Sequence, residues 1–279
     1  MTHPPSAAPN RDPDSPSRTA AARPGGPIVT APIQRWPAAA LSKDAAQPLS
    51  GSICATIWPT RSLTSDERWY DEIYLWTEGF QASTTQRARM QLMALETACH
   101  MLEREHADHV GVTLSFGTVE RFLDDITRVF QDHALVGQRL VVMLRGSIER
   151  LRSRYSVRAF IEHLRAQQVP VGYRVSAPHI TMDLLALEFL QPSFAKVLAP
   201  NSPRLEAWQD FVVEARVAGL PAGRIIVAGL ENERQVAFAR QMQIGFGQGS
   251  AVRPAYAPPS EVGTRTFGPG STEGASRPR

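Results

Sequence analysis

The sequence predicts an α/β protein in which about eight strands alternate with helices over roughly 200 residues, a compact barrel more than an open sheet. Three features carry this reading. Short apolar runs punctuate the middle of the chain, amphipathic stretches of helical period fill the gaps between them, and proline-rich ends set that middle apart. Periodicity alone leaves a doubly wound open sheet as the competitor.

Apolar, β-branched and aromatic runs place strands at residues 53–58, 69–76, 110–114, 139–144, 169–175, 194–198 and 225–227, with a weaker one near 244–246. Helices fall between them. Thr84 can cap a helix reaching about residue 106, with Met90, Ala94, Ala98 and Leu102 on one face. Residues 118–132 repeat the pattern with Phe122, Ile126, Val129 and Phe130, and 157–167 with Val157, Phe160, Ile161 and Leu164. Helices at 203–218, carrying Leu205, Trp208, Phe211, Val212 and Ala215, and at 232–242 complete the series.

Composition sets the boundaries. The chain has 279 residues, 43% of them hydrophobic and 8% aromatic, enough for a full core. Of its 22 prolines, ten fall in residues 1–50 among Ala, Ser, Thr and Gly, and five follow residue 253. Such segments cannot bury enough apolar surface to offset the entropy of ordering, so 1–50 and 255–279 read as disordered tails around a domain at 51–254. Residues 1–50 hold five Arg or Lys against three Asp, and 251–279 four Arg against two Glu. Each tail is therefore +2 and the remainder about −1 of the total +3. The sequence pI of 9.1 belongs to the tails. With no basic surplus in the folded part to neutralise phosphates, nucleic acid is not an expected partner.

Cys54 and Cys99 are too few for a disulfide scaffold and lack zinc-ligand spacing, so both are expected reduced and buried. The start, Met1-Thr2-His3-Pro4-Pro5, has no apolar signal region and no run reaches the ~18–20 apolar residues of a spanning helix, which points to a cytoplasmic protein without a membrane partner. Gly245-Phe246-Gly247-Gln248-Gly249 resembles a phosphate loop but opens no helix that could receive a phosphate. His106 and His109 have the spacing of a metal pair, yet Glu105 and Asp108 beside them mark a solvated helix end. His179 follows Pro178 in a loop, Ser115-Phe116-Gly117 has no base partner, and Asp124-Asp125 falls on a polar helix face.

The residues from Ile225 to Phe238, IIVAGLENERQVAF, followed by Gly247-Gln248-Gly249, resemble the closing part of EAL domains, the bacterial barrels that hydrolyse cyclic di-GMP. Fainter likenesses follow in the family's order: Trp58-Pro59 to its QP turn, residues 70–76 (YDEIYLW) to vEALLRW, and residues 112–115 (VTLS) to vNLS. Residues 140–146 (LVVMLRG) stand for LelEiTE, 169–175 (VPVGYRV) for the strand ending in two aspartates, and 194–198 (FAKVL) for ylKID. The resemblance implies a TIM-like (β/α)8 barrel of EAL type.

It also implies a site, and most of that site has been replaced. The family holds Mg²⁺ or Mn²⁺ with carboxylates and an amide oxygen at the carboxyl ends of the strands, where the metal polarises a phosphate and activates water. In the matching places stand Thr113 for the amide, Met143 for a glutamate, Arg174 and Val175 for the aspartates, and Ala228 for the first glutamate of EGVE. Asp71 takes the place of the EAL glutamate, or Glu72 if the register slips by one. The phosphate-contacting arginine of LLRW corresponds to Leu75, beside a retained Trp76. Lys196, Glu231 and Gln248 persist, and a Lys196–Glu231 ion pair inside the barrel mouth is the plain structural expectation.

The resemblance thus leads to a catalytically inactive EAL-like domain, without cofactor or bound metal, that acts in bacterial regulation through an unidentified protein partner. Its vestigial pocket is Asp71, Arg174, Lys196, Glu231 and Gln248. A non-hydrolysing cyclic di-GMP receptor, in which Arg174 or Arg145 stands in for the lost arginine, is the alternative, and an active phosphodiesterase comes third. Related barrels also form homodimers.

Overall fold

The computed structural model describes residues 34–37, 51–175, 183–200, 202 and 204–259. His179 and most of the two expected tails lie outside the described residues.

The chain opens with β1 (Gln34–Pro37), β2 (Ser52–Ser62) and β3 (Arg68–Glu78). There follow α1 (Thr84–Glu103), β4 (Val110–Ser115), α2 (Phe116–Arg121), α3 (Leu123–Asp132), β5 (Leu140–Arg145), α4 (Arg154–Ala166) and β6 (Val171–Arg174). The series ends with α5 (Leu184–Leu190), β7 (Phe194–Leu198), α6 (Leu205–Val217), β8 (Ile225–Ala228), α7 (Glu233–Gln241) and β9 (Phe246–Gln248). The strands pair in chain order, and β9 returns to β2 through Arg61↔Gly247 and Ser62↔Phe246, which closes β2–β9 into a barrel. From β3 to β9 every pairing is parallel, while β2 runs antiparallel to both of its barrel neighbours. Closure rules out the doubly wound sheet that periodicity left open.

The parallel strands are nearly continuous apolar runs because both of their faces are covered. One face meets the helices, where Leu95, Leu102, Leu114, Phe130, Val142, Leu144, Leu164 and Trp208 share the main core. The other lines the lumen, filled by Tyr70, Val141, Met143, Phe194 and Ile226 with Trp69 and Phe246 packed against them. Trp69 stacks on Phe246 at 4.1 Å and meets Phe194 edge-on at 4.8 Å, so one end of the lumen is an aromatic plug.

Those large side chains fit because small residues oppose them. A Cβ on Gly172 would lie 2.2 Å from the Phe194 ring, and one on Gly111 2.4 Å from the Tyr70 ring. Gly172→Ala is therefore expected to destabilise the protein by about 1–3 kcal/mol through overpacking. Urea unfolding would read this, and a loss under about 0.5 kcal/mol would show that the plug can shift to make room.

Local rules account for the helix ends. Ser83, not Thr84, caps α1 in a reciprocal box with Gln86, Ser153 caps α4, and Asn232 caps α7. Ser115 caps α2 by accepting a hydrogen bond from the Thr118 amide, which gives the Ser115-Phe116-Gly117 run a structural role. The helix expected over 118–132 is two helices broken at Phe122 (φ −125°, ψ 30°), a break that no Gly or Pro announces. Helix α5 is absent from the periodicity because its apolar residues do not keep to one face: Leu184 and Leu185 are 41% and 57% exposed.

Three further departures concern the ends and one motif. Trp58-Pro59, likened to a turn, sits within β2, with Pro59 opposite Asp71. Strand β1 falls in the stretch 1–50 expected as a tail and pairs with the start of β2 from Gln34↔Ala55 to Pro37↔Ser52. Past residue 254, Tyr256 exchanges backbone hydrogen bonds with Ile57 at 2.7 and 3.0 Å, so the chain stays on the barrel beyond the expected boundary. Among the described residues no helix is long and apolar enough to cross a membrane.

Candidate functional site

At the carboxyl ends of the parallel strands, side chains of alternate residues turn into the lumen. The register sets Thr113 beside Met143, Arg145 beside Arg174, Arg174 beside Lys196, and Ala228 beside Gln248. Across the mouth, β3 contributes Glu72.

Glu72 is 3% exposed and is the centre of a buried polar cluster. Lys196 donates from Nζ to Glu72 Oε2 and to Gln248 Oε1, the latter at 2.5 Å. Thr113 donates its hydroxyl to Glu72 Oε1 at 2.8 Å, and Gln248 Nε2 donates to Glu72 Oε2 at 3.1 Å. Gln248 Nε2 also reaches Thr60 Oγ1 at 3.1 Å and the Trp58 carbonyl at 3.2 Å. Lys196 and Gln248 are each 6% exposed.

The electrostatics follow from this enclosure. Burial works to raise the Glu72 pKa, but the charge and hydrogen bond of Lys196, then the charge of Arg174 and the Gln248 bond, outweigh it and hold the group at about 2. Lys196 is pushed the other way. Its own burial dominates and lowers its pKa, Glu72 pulls it back up, and the Arg174 guanidinium adds to the lowering. Glu72 is thus a carboxylate held by the charges around it against its own burial.

The register slip is real. Asp71 is 0% exposed but lies on the opposite face of β3, where Arg68 Nε donates to its Oδ1 at 2.8 Å and the Tyr256 hydroxyl donates to its Oδ2. Asp71 therefore leaves the expected pocket and Glu72 takes its place, because neighbouring residues of a strand face opposite ways. Strand alternation also makes Trp76, not Leu75, the residue that shares Glu72's face four positions on; Leu75 packs against the core.

Glu231 is corrected as well. It is exposed beyond the end of β8, where its backbone amide donates to Gln235 Oε1 at 2.8 Å. Lys196 pairs with Glu72 instead. Of the five expected pocket residues, Arg174, Lys196 and Gln248 come together, and Glu72, Thr113 and Thr60 join them. The run Phe246–Gln248 within the glycine-rich segment is strand β9, whose closing role places Gln248.

This donor set does not suit Mg²⁺, which takes near-octahedral oxygen ligands including one or two carboxylates. Glu72 is the only carboxylate among the mouth residues named, and its oxygens are engaged by Lys196, Gln248 and Thr113. Met143 and Ala228 offer no donor, and Arg174 is a cation that repels a second one. What the mouth does offer is positive charge, in adjacent places on three strands: Arg145, Arg174 and Lys196.

No family profile matches the sequence, and no curated protein matches it. Solved structures do match. The PaMucR phosphodiesterase in its c-di-GMP complex superposes with a TM-score of 0.56 at 20% identity, over 73% of this chain and 96% of that one. An EAL domain protein from Listeria monocytogenes EGD-e gives 0.58 at 14% identity, over 74% and 89%. The EAL domain of Xanthomonas citri FimX in complex with c-diGMP gives 0.56 at 16%, over 76% and 91%. The barrel with one antiparallel strand, closed by β9 and carrying Glu72, Lys196 and Gln248 at its mouth, has the EAL-type fold.

Proposed function

We propose that this EAL-type barrel does not hydrolyse cyclic di-GMP and acts in bacterial signalling through contacts with a protein partner. The observation that carries the reading is the mouth itself: one carboxylate, already held by a lysine, where metal-assisted phosphodiester hydrolysis needs several free oxygen donors. A metal forced in beside Lys196 and Arg174 would have to displace a buried ion pair.

A second reading rests on a separate observation. Arg145, Arg174 and Lys196 stand on three adjacent strands, and such a row can meet the phosphates of a dinucleotide without a metal. The c-di-GMP complexes of PaMucR and FimX are similar in fold, which makes that dinucleotide the ligand to try.

Two measurements separate these readings. Incubation of the purified chain with cyclic di-GMP and Mg²⁺ or Mn²⁺ is expected to give no turnover above a protein-free control; turnover abolished by Glu72→Ala would overturn the proposal. Calorimetric titration with cyclic di-GMP is expected to show no saturable heat. Saturable binding weakened about tenfold or more by Arg174→Ala would replace the protein-contact reading with the receptor reading.

A further inference from the structure

Far from the mouth in sequence and chemistry, a second cluster of titratable groups forms where α1 ends. His100 and Glu103 are one helical turn apart in the last turn of α1, and His133, the residue after α3, approaches them from thirty positions on. Glu103 bridges the two imidazoles: His133 Nδ1 lies 2.6 Å from Oε1 and His100 Nδ1 3.5 Å from Oε2. The two rings meet edge to face at 4.8 Å, and one ligand atom from each of the three residues lies within 4.8 Å of the others.

We propose that His100, Glu103 and His133 form a zinc site that joins the end of α1 to the end of α3. Two imidazole nitrogens and one carboxylate oxygen are a set that Zn²⁺ takes, at about 2.0–2.2 Å from each, leaving a fourth position for water. Ligand atoms around such an ion sit roughly 3.3 Å apart, so spacings of up to 4.8 Å need adjustments of about 1.5 Å or less, within side-chain rotation. The graded exposure fits a site open on one side, with side chains of His133 10%, His100 23% and Glu103 37% accessible.

Cys99, next to His100, is not a fourth ligand. Burial, with Glu103 and Glu96 adding their charges, pushes its thiol up to about 12, and it is 0% exposed in the main core. The exposed pair His106 and His109, which the sequence offered as a metal pair, belongs to the following loop and takes no part.

The consequence is mechanical. Helix α1 has the most extensive contact with β4 of any helix, and α3 leads into β5, so an ion shared by their ends fixes the connections that feed two neighbouring barrel strands. Imidazole donors select zinc over magnesium, which separates this site from any ion chemistry at the mouth.

Tag-free full-length protein would be titrated with zinc chloride by calorimetry and with cobalt chloride by visible absorption. One ion per chain is expected, with tetrahedral cobalt bands, no response to magnesium chloride, and a rise in Tm of about 5–10 °C at zinc a hundredfold above Kd. His100→Ala and His133→Ala should each weaken zinc binding at least about tenfold, while His106→Ala/His109→Ala and Glu72→Gln should not. Should the alanine variants fail to fold, zinc-dependent protection of His100 and His133 from diethyl pyrocarbonate, read by mass spectrometry on the unmodified sequence, tests the same claim. Absence of saturable zinc binding, or binding that leaves both histidines reactive, would reduce the cluster to a His–Glu–His hydrogen-bonded bridge and overturn the proposal.

Discussion

Lys196→Met is expected to lower the unfolding free energy by about 3–5 kcal/mol, because it leaves Glu72 buried without the cation that compensates it. Glu72→Gln/Lys196→Met should recover much of that loss, since the amide oxygen can still accept from Thr113, the amide nitrogen can donate to the Gln248 oxygen that Lys196 vacates, and no carboxylate is stranded. Urea unfolding followed by circular dichroism measures both. A loss below about 1 kcal/mol in the single variant would mean that water reaches Glu72 and that the pair is not buried in solution.

The same pair fixes a pH dependence whose sign reverses between the two proteins. In the wild type Glu72 is held at about 2, below its ordinary 4.5, so its contribution is complete above 4.5 and is lost as pH falls from there toward 2. In Lys196→Met the larger ionic restraint is gone, only the Arg174 charge remains, and burial, the largest influence on Glu72, raises its pKa. Protonation then favours the folded state, and the variant should regain stability relative to the wild type on acidification from pH 7 to about 5, a window in which Glu72 adds no slope to the wild type. A variant whose stability falls over that window would contradict the assignment of Lys196 as the dominant partner.

Arg68→Met should cost about 2–3 kcal/mol for the same reason on the other face of β3, where the Asp71 side chain is 0% exposed. The figure is below that for Lys196 because the Arg68 side chain is 44% exposed and solvent screens its charge. Tyr256 shares this pair: Arg68 Nη2 donates to its hydroxyl, and the hydroxyl donates to Asp71. Loosening the pair should therefore release residues 251–259, seen as faster proteolysis after Arg253, while cyclic di-GMP titrations stay as in the wild type. A change in ligand response with no change in proteolysis would return Asp71 to the mouth.

The eight barrel strands were legible because most are short apolar runs bounded by polar or turn residues, a signature left by burial on both faces, whereas β1 lies within a proline-rich stretch that hides it. Their order and the Gly229-to-Gln248 segment sufficed for the EAL-type barrel. Lys196 stood out as one of two lysines in the chain. The broken helix at Phe122 and helix α5 were hidden because a local break without Gly or Pro, and apolar residues on both faces, leave no periodic mark.

Which carboxylate serves the mouth was beyond the sequence. Asp71 and Glu72 are adjacent and both buried, so hydropathy treats them alike, yet the period of two sends them to opposite faces and a one-residue slip exchanges their roles. Only closure of β9 onto β2 and the parallel register of β7 settle it, by bringing Gln248 and Lys196 to Glu72 across separations of 176 and 124 residues. His133 meets His100 and Glu103 through the packing of α3 against α1. Residue types along a chain set what each position can do, and the packing of distant segments decides which of them can do it together.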